Sequence, residues 1–490
     1  MPNNWRDDDF FNELEPMSSL TVDLVESADL NRHYYRGLAG RRRKAAVTLS
    51  IVWSGTIALH LLSWGYWLVL GFTALMSIQA LRILWARPLV PPDPIDSDDP
   101  ADYPFVSLLV AAKNEEAVIA ALVEDLCSLN YPSDRYEVWV IDDNSSDRTP
   151  LVLNQLMRDY RQLQVVNRAS DAGGGKSGAL NDVLQLAQGE ILAVFDADAQ
   201  VTKDMLRRVV PLFDRPQVGA VQVRKAIANA NDNFLTRGQM AEMAVDSYMQ
   251  QQRIAIGGIG ELRGNGQFVR RAALERCGGW NEQTITDDLD LTLRLHLDQW
   301  DIDFVMFPAV AEEGVTRSIG LWHQRNRWAE GGYQRYLDYW RLIIRNRMGF
   351  GKTADLLSYW MIQYILPTAA LPDCLMAIVR SRPPMLSPLT SLGFSLFLYG
   401  MFSGLRRIQT GEPREPFVAG ARVSPAGPPR WITLLQTLRG TIYMLHWLVV
   451  MPATTARMSV RPKRLKWVKT MHHGTDDVWL DVAEPRSPKF

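Results

Sequence analysis

Cysteine is scarce. The chain has three in 490 residues, Cys127, Cys277 and Cys374, far apart and with no histidine cluster beside them. That excludes a disulfide framework and a zinc site, and leaves buried thiols in a reducing compartment as the expectation. Net charge is also missing: 53 Lys+Arg against 54 Asp+Glu leave −1. Without a global basic field, no nucleic-acid partner is expected. The N-terminus lacks a charged segment running directly into an apolar core, so no cleaved signal peptide is expected. Apolar content is ordinary on average but unevenly spread, and the long apolar runs sit towards the two ends.

Residues 1–40 are acidic and polar (Asp7, Asp8, Asp9, Glu13, Glu15) without periodicity, which reads as a disordered tail. Over 41–87 a basic cluster, Arg41-Arg42-Arg43-Lys44, precedes two runs, 45–62 and 66–84, in which His60 and Arg82 are the only titratable positions apart from tyrosine. Each is close to the ~20 residues that cross a bilayer as a helix. The basic cluster before the first and Arg87 after the second place both outer ends on the cytosolic side. A Pro/Asp linker follows over 88–104. From 105 to 338 strand-like segments (106–110, 137–141, 163–166, 191–195, then 220–223) alternate with helical ones, implying right-handed crossovers and a mostly parallel sheet. Tyr339-Trp340-Arg341-Leu342-Ile343-Ile344-Arg345 suits an interfacial helix over 339–352. Within 353–455 lie apolar stretches at 356–379, 386–405 and 432–450, one of them expected to be re-entrant or interfacial. If all three spanned, the basic tail over 456–490 (Arg461, Lys463, Arg464, Lys466, Lys469) would lie outside, against the charge rule.

The chemistry gathers at strand ends. Ile191-Leu192-Ala193-Val194-Phe195 is a continuous apolar run, as in a strand buried on both faces, and ends in Asp196-Ala197-Asp198. In extended backbone those carboxylates share a side, at the edge where open α/β sheets place ligands. They are hard oxygen donors suited to Mg²⁺, or Mn²⁺, carrying a diphosphate. Ile141 likewise runs into Asp142-Asp143, and the first strand into Lys113-Asn114-Glu115. An isolated Asp-x-Asp is more often a helix cap, and Asn144 to Asp147 read as an ordinary Asx/Ser turn.

Gly173-Gly174-Gly175-Lys176-Ser177-Gly178 matches the dinucleotide fingerprint and falls one glycine short of a P-loop, since Ser170 holds the first glycine position. A membrane-tethered NAD-dependent protein is the alternative this loop motivates. The loop starts several residues after its strand, however, which favours Lys176 as a cation facing phosphate. Thr286-Asp287-Asp288 opens a helix, and capping alone accounts for that composition. Gln324-Arg325-Asn326-Arg327-Trp328 offers a basic helix face, with an arginine fork for diphosphate and a flat indole for stacking.

Taken in order, Asp142-Asp143, Lys176, Asp196-Ala197-Asp198, Thr286-Asp287-Asp288 and Gln324 to Trp328 resemble the membrane-embedded family-two inverting glycosyltransferases related to cellulose and hyaluronan synthases. The resemblance implies an α/β GT-A fold, a Rossmann-like mostly parallel sheet bracketed by N- and C-terminal transmembrane and interfacial helices. It implies that Glu115, Asp142 and Asp143 hold uridine, that Lys176 and Asp196 bind the nucleotide-sugar, and that Asp198 with Asp196 binds Mg²⁺. Asp288 would be the general base, Arg327 with Arg325 would neutralise the leaving diphosphate, and Gln324 and Trp328 would meet the acceptor. The family's Thr-Glu-Asp is Thr286-Asp287-Asp288 here, so either Asp fits the base, with register favouring Asp288. No cyclic-dinucleotide-binding domain follows the last helices, and the membrane part is small for a polymer channel. The layout, with Gly40 to Ala46 leading into the first span, is similar to cyanobacterial glucosyltransferases of diacylglycerol. That likeness implies glucose transfer from UDP-glucose to 1,2-diacylglycerol at the lipid bilayer of the plasma or thylakoid membrane. A processive β-polysaccharide synthase is the alternative.

Overall fold

The computed structural model describes residues 37–411 and 427–460. The acidic tail before residue 37 and the basic residues from Arg461 onward lie outside them.

Helices α1 (Gly37–Leu61) and α2 (Gly65–Trp85) form the N-terminal pair. Both are long and apolar enough to cross a membrane. The basic cluster lies inside α1 rather than ahead of it. Arg41 is buried and pairs with Asp338 at 2.8 Å, and Lys44 Nζ donates to the Leu337 carbonyl at 2.7 Å.

Seven strands form one sheet: β1 (Val106–Ala112), β2 (Tyr136–Asp142), β3 (Leu163–Asn167), β4 (Ile191–Phe195), β5 (Val218–Ile227), β6 (Gln267–Arg270) and β7 (Asp301–Glu312), in the order β3-β2-β1-β4-β6-β5-β7. All pairings are parallel except those of β6. The carboxyl ends of β1, β2, β4, β5 and β7 therefore share one edge, as the GT-A architecture requires. Both faces are covered. Leu108 and Val110 belong to one apolar cluster and Leu109 and Ala111 to the other, which is why these strands read as unbroken apolar runs.

Crossover helices α3 (Ile119–Cys127), α4 (Thr149–Asp159) and α5 (Gly175–Leu184) link the first strands. Beyond β5 come α6 (Phe234–Ala255), α7 (Asp287–Leu297) and α8 (Ser318–Ile344). The boundary drawn at 338/339 falls inside α8, so the aromatic segment from Tyr339 is the last part of that helix, with Tyr339, Leu342 and Ile343 buried.

Next, α9 (Phe350–Trp360) continues through a π-turn, Met361–Ile365, into α10 (Leu366–Val379). Pro367 has no N–H and its ring crowds the carbonyl one turn back, so the helix widens there. Together α9 and α10 make a candidate span, Phe350–Val379, and α11 (Ser387–Thr410) makes another. The last apolar stretch is instead two short helices, α12 (Arg430–Met444) and α13 (Trp447–Val460), broken at Leu445-His446. Neither is among the candidate spans of the described residues. The α13 helix packs on α1 and α8, and α12 on α6.

A buried ionic seam joins the sheet domain to these helices: Arg253 pairs with Asp355 at 2.9 Å and Arg335 with Glu261 at 2.8 Å. Cys127 and Cys277 are buried, whereas Cys374 is exposed and departs from the buried-thiol expectation.

Candidate active site

The shared edge opens into a cavity of about 780 Å³. Straight after β4, Asp196 and Asp198 both line it. Asp196 Oδ1 lies 2.5 Å from Lys176 Nζ, and Asp198 Oδ2 accepts the Glu313 N–H at 3.0 Å. Gly174 and Gly175 adopt positive φ, +79° and +56°. This lets the chain turn into α5 with Lys176 in its first turn. A Cβ on Gly174 would meet the backbone Cα of Gly178 at 2.8 Å, so the turn also needs the missing side chain. Burial alone would lower the Lys176 ammonium, but Asp196, Asp287 and Asp288 outweigh it and raise its pKa. The loop thus presents a persistent cation, and its start well beyond the end of β3 weakens the dinucleotide reading.

Asp288 opens α7 and lines the same cavity. Burial, then the neighbouring Asp287, push its carboxyl up to about 6, against the pull of the Leu289 N–H, Lys176 and Arg263. The Oδ2 of Asp287 is buried without a hydrogen-bond partner. On α8, Gln324, Arg327 and Trp328 reach the wall, as does the largely buried Glu115 after β1.

Three expected residues are not brought to it. Asp142 holds the Ser145 hydroxyl. Asp143 pairs with Arg168 at 2.5 Å and Lys113 at 3.2 Å. These bonds brace the strand-end loops, where Asn114 and Asn144 take positive φ, and Arg168 extends them by donating to the Gly173 carbonyl at 2.6 Å. The assignment of Arg325 to diphosphate is corrected: it is 1% exposed, ion-paired to Glu242, and bonded to Tyr443 Oη at 3.1 Å. Its guanidinium lies 4.0 Å from the Trp328 ring centroid, with Lys225 Nζ at 5.6 Å from the same ring. Arg325 therefore braces the indole and cannot fork a phosphate.

Residues the sequence reading missed complete the wall. Lys225 on β5 pairs with Glu312 on β7 at 2.8 Å, and Glu312-Glu313 end β7 as Asp196 follows β4. The signal was the same, an apolar strand running into acids, but Pro308 and the charged start of β7 masked it. Asn265, in the glycine-rich approach to β6, accepts the Asp196 N–H at 3.2 Å.

The carboxylates of Asp196 and Asp198 suit a divalent cation that keeps most of its ligands for water and phosphate. Among the described residues no group of three or more His, Cys, Asp or Glu side chains is placed to hold a metal ion.

A sheet of this order, with acids and a lysine loop on its carboxyl edge, defines a glycosyltransferase-type fold, and comparison with known proteins agrees. The profile of "Glycosyltransferase like family 2" matches residues 103–331. A β-monoglucosyldiacylglycerol synthase of Nostoc sp. is 61% identical over 97% of this chain and 99% of its own. One of Synechocystis sp. is 55% identical over 98% and 99%. A mannosyltransferase of Pyrobaculum calidifontis, solved with GDP-Man and Mn²⁺, is 22% identical, covers 86% of this chain and 100% of its own, and has a TM-score of 0.49. The chain belongs to the family-two glycosyltransferases, in one family with these cyanobacterial synthases.

Proposed function

We propose that the protein transfers glucose from UDP-glucose to 1,2-diacylglycerol, giving β-monoglucosyldiacylglycerol. The observation that carries this is the two-sided cavity. The sheet edge lines it with Lys176, Asp196, Asp198, Asp288 and Arg327. The helices beyond α8 line it with Leu366, Phe394, Phe397, Leu448 and Met451. A charged donor and an apolar acceptor chain suit these two walls, and at about 780 Å³ the cavity is in the range of small-molecule sites. Near-full-length relatives bearing the β-monoglucosyldiacylglycerol synthase name support the same acceptor, and the polysaccharide alternative is not favoured.

In this reading the acceptor hydroxyl oxygen attacks the sugar C1 as the C1–oxygen bond to UDP breaks. Asp288 takes the hydroxyl proton, and UDP departs with the bonding pair. Attack opposite the leaving group turns an α-linked donor into a β-glycoside. Lys176 and Arg327 supply fixed positive charge to the diphosphate. Asp198 and Asp196 would hold Mg²⁺, which when bound offsets the negative charge of the UDP leaving group. Trp328, braced by Arg325, lies at the acceptor side. The enzyme is multi-pass, with the sheet domain on the cytosolic side, supported by four candidate spans, the basic residues in the first turns of α1 and Arg87 after α2. Membranes given radiolabelled UDP-glucose or UDP-galactose test the donor. Label in glycolipid from UDP-glucose alone is expected, and label from UDP-galactose alone would overturn it.

A further inference from the structure

The start of α1 and the end of α8 are stitched together where two candidate spans begin, Gly40–Leu61 and Phe350–Val379. Arg41 pairs with Asp338 at 2.8 Å, and Lys44 donates to the Leu337 carbonyl at 2.7 Å. Arg42 and Arg43, between those two residues of α1, are exposed. On α8, Arg341 and Arg345 follow Asp338 at steps of three and four residues, so they continue along the face that holds Arg41. Both are exposed, and Arg341 lies within repelling range of Lys44.

Little negative charge offsets them. Asp338 is the sole acid in 37–61 and 338–352, and Arg41 occupies it. The other cations of that stretch turn inward: Arg347 Nε donates to the Leu297 carbonyl at 2.8 Å, and Lys352 pairs with Asp301 at 2.5 Å. Apolar groups stand exposed beside the outward arginines, with Trp340 at 38%, Ile344 at 71% and Phe350 at 81%. A helix end that shows arginine, indole and aliphatic groups together, just where spans enter the bilayer, matches the headgroup layer and not bulk water. None of these residues lines the catalytic cavity.

We propose that this α1–α8 seam binds anionic phospholipids of the cytosolic leaflet. Arg42, Arg43, Arg341 and Arg345 meet the lipid phosphates, while Trp340, Ile344 and Phe350 seat among the first acyl carbons. An anionic leaflet thereby fixes the depth at which the sheet domain sits on the bilayer. The inference rests on the membrane orientation proposed above and is independent of the acceptor.

The test reconstitutes the full-length protein in phosphatidylcholine vesicles and measures association of spin-labelled phosphatidylglycerol against spin-labelled phosphatidylcholine. The wild type should favour phosphatidylglycerol about 5-fold at low salt, the equivalent of one arginine at an anionic surface. That preference should shrink at about 1 M salt, where the Debye length falls to ~3 Å. Arg42→Gln, Arg43→Gln, Arg341→Gln and Arg345→Gln combined should lose at least half of it, whereas lysine at the same four positions should retain it, because charge carries the attraction. Binding of UDP by both variants shows that they fold. If the glutamine variant does not bind UDP, Arg42→Gln with Arg43→Gln alone gives the same comparison. No preference in the wild type, an unchanged preference in the glutamine variant, or equal loss in the lysine variant overturns the inference. Probe in both leaflets makes the result independent of orientation, and no substrate enters the assay, so failure of the readings above cannot mimic these outcomes.

Discussion

Arg325 lies over the Trp328 ring, its guanidinium 4.0 Å from the ring centroid, while it also contacts Glu242, Gln324, Tyr443 and the Trp447 ring. Removing one partner of a buried ion pair strands the other, at about 3–5 kcal/mol. Arg325→Ala should therefore lower the unfolding temperature markedly, and Arg325→Met with Glu242→Leu should recover much of it. Thermal unfolding in detergent checks this. A variant that keeps its stability and loses UDP affinity instead would restore Arg325 to the diphosphate.

As the proposed base, Asp288 should set the acid limb of the rate. Its carboxyl is pushed up to about 6, and a base works only when deprotonated, so kcat/KM should fall as pH drops through that region and level off above it. Lys176 and Arg263 pull the other way and Asp287 pushes in the same direction. Asp287→Asn should accordingly shift the limb to lower pH. Asp288→Asn should cut transfer by at least about 10²-fold while UDP binding persists. Activity retained in Asp288→Asn and lost in Asp287→Asn would move the base by one residue.

The sheet was legible because parallel strands buried on both faces leave unbroken apolar runs, such as 191–195 before Asp196. The β6 strand was not: four residues behind a glycine-rich approach give no periodicity, and only its pairing with β4 and β5 makes it a strand. At the site, motif order placed Lys176, Asp196, Asp198 and Asp288 on one cavity. It misplaced Arg325, because consecutive positions of a helix point in different directions and only packing decides which arginine faces in. The break at Leu445-His446 was equally hidden, since an apolar helix in lipid and one folded back on protein share a composition.

Lys176 and Asp196 sit 2.5 Å apart, and the raised Lys176 ammonium stays charged across the working pH range. On the proposed donor site, Lys176→Ala should remove a charged contact to diphosphate and leave Asp196 repelling it. UDP-glucose KM should rise about 10- to 100-fold, with diacylglycerol KM little changed. Steady-state kinetics in both substrates decides it.

The proposed ion at Asp196 and Asp198 predicts metal dependence. Exhaustive chelation should abolish transfer, added Mg²⁺ should restore it, and Asp198→Ala should lose both activity and the response. Full activity in chelator would rule the ion out.

The central claim is a single β-glucosyl transfer onto a lipid hydroxyl. Purified protein in liposomes containing diacylglycerol, supplied with radiolabelled UDP-glucose, tests it directly. The account predicts label in one lipid product that carries a single glucose and is cleaved by β-glucosidase. Label confined to insoluble polymer, or to an α-linked lipid, would contradict it.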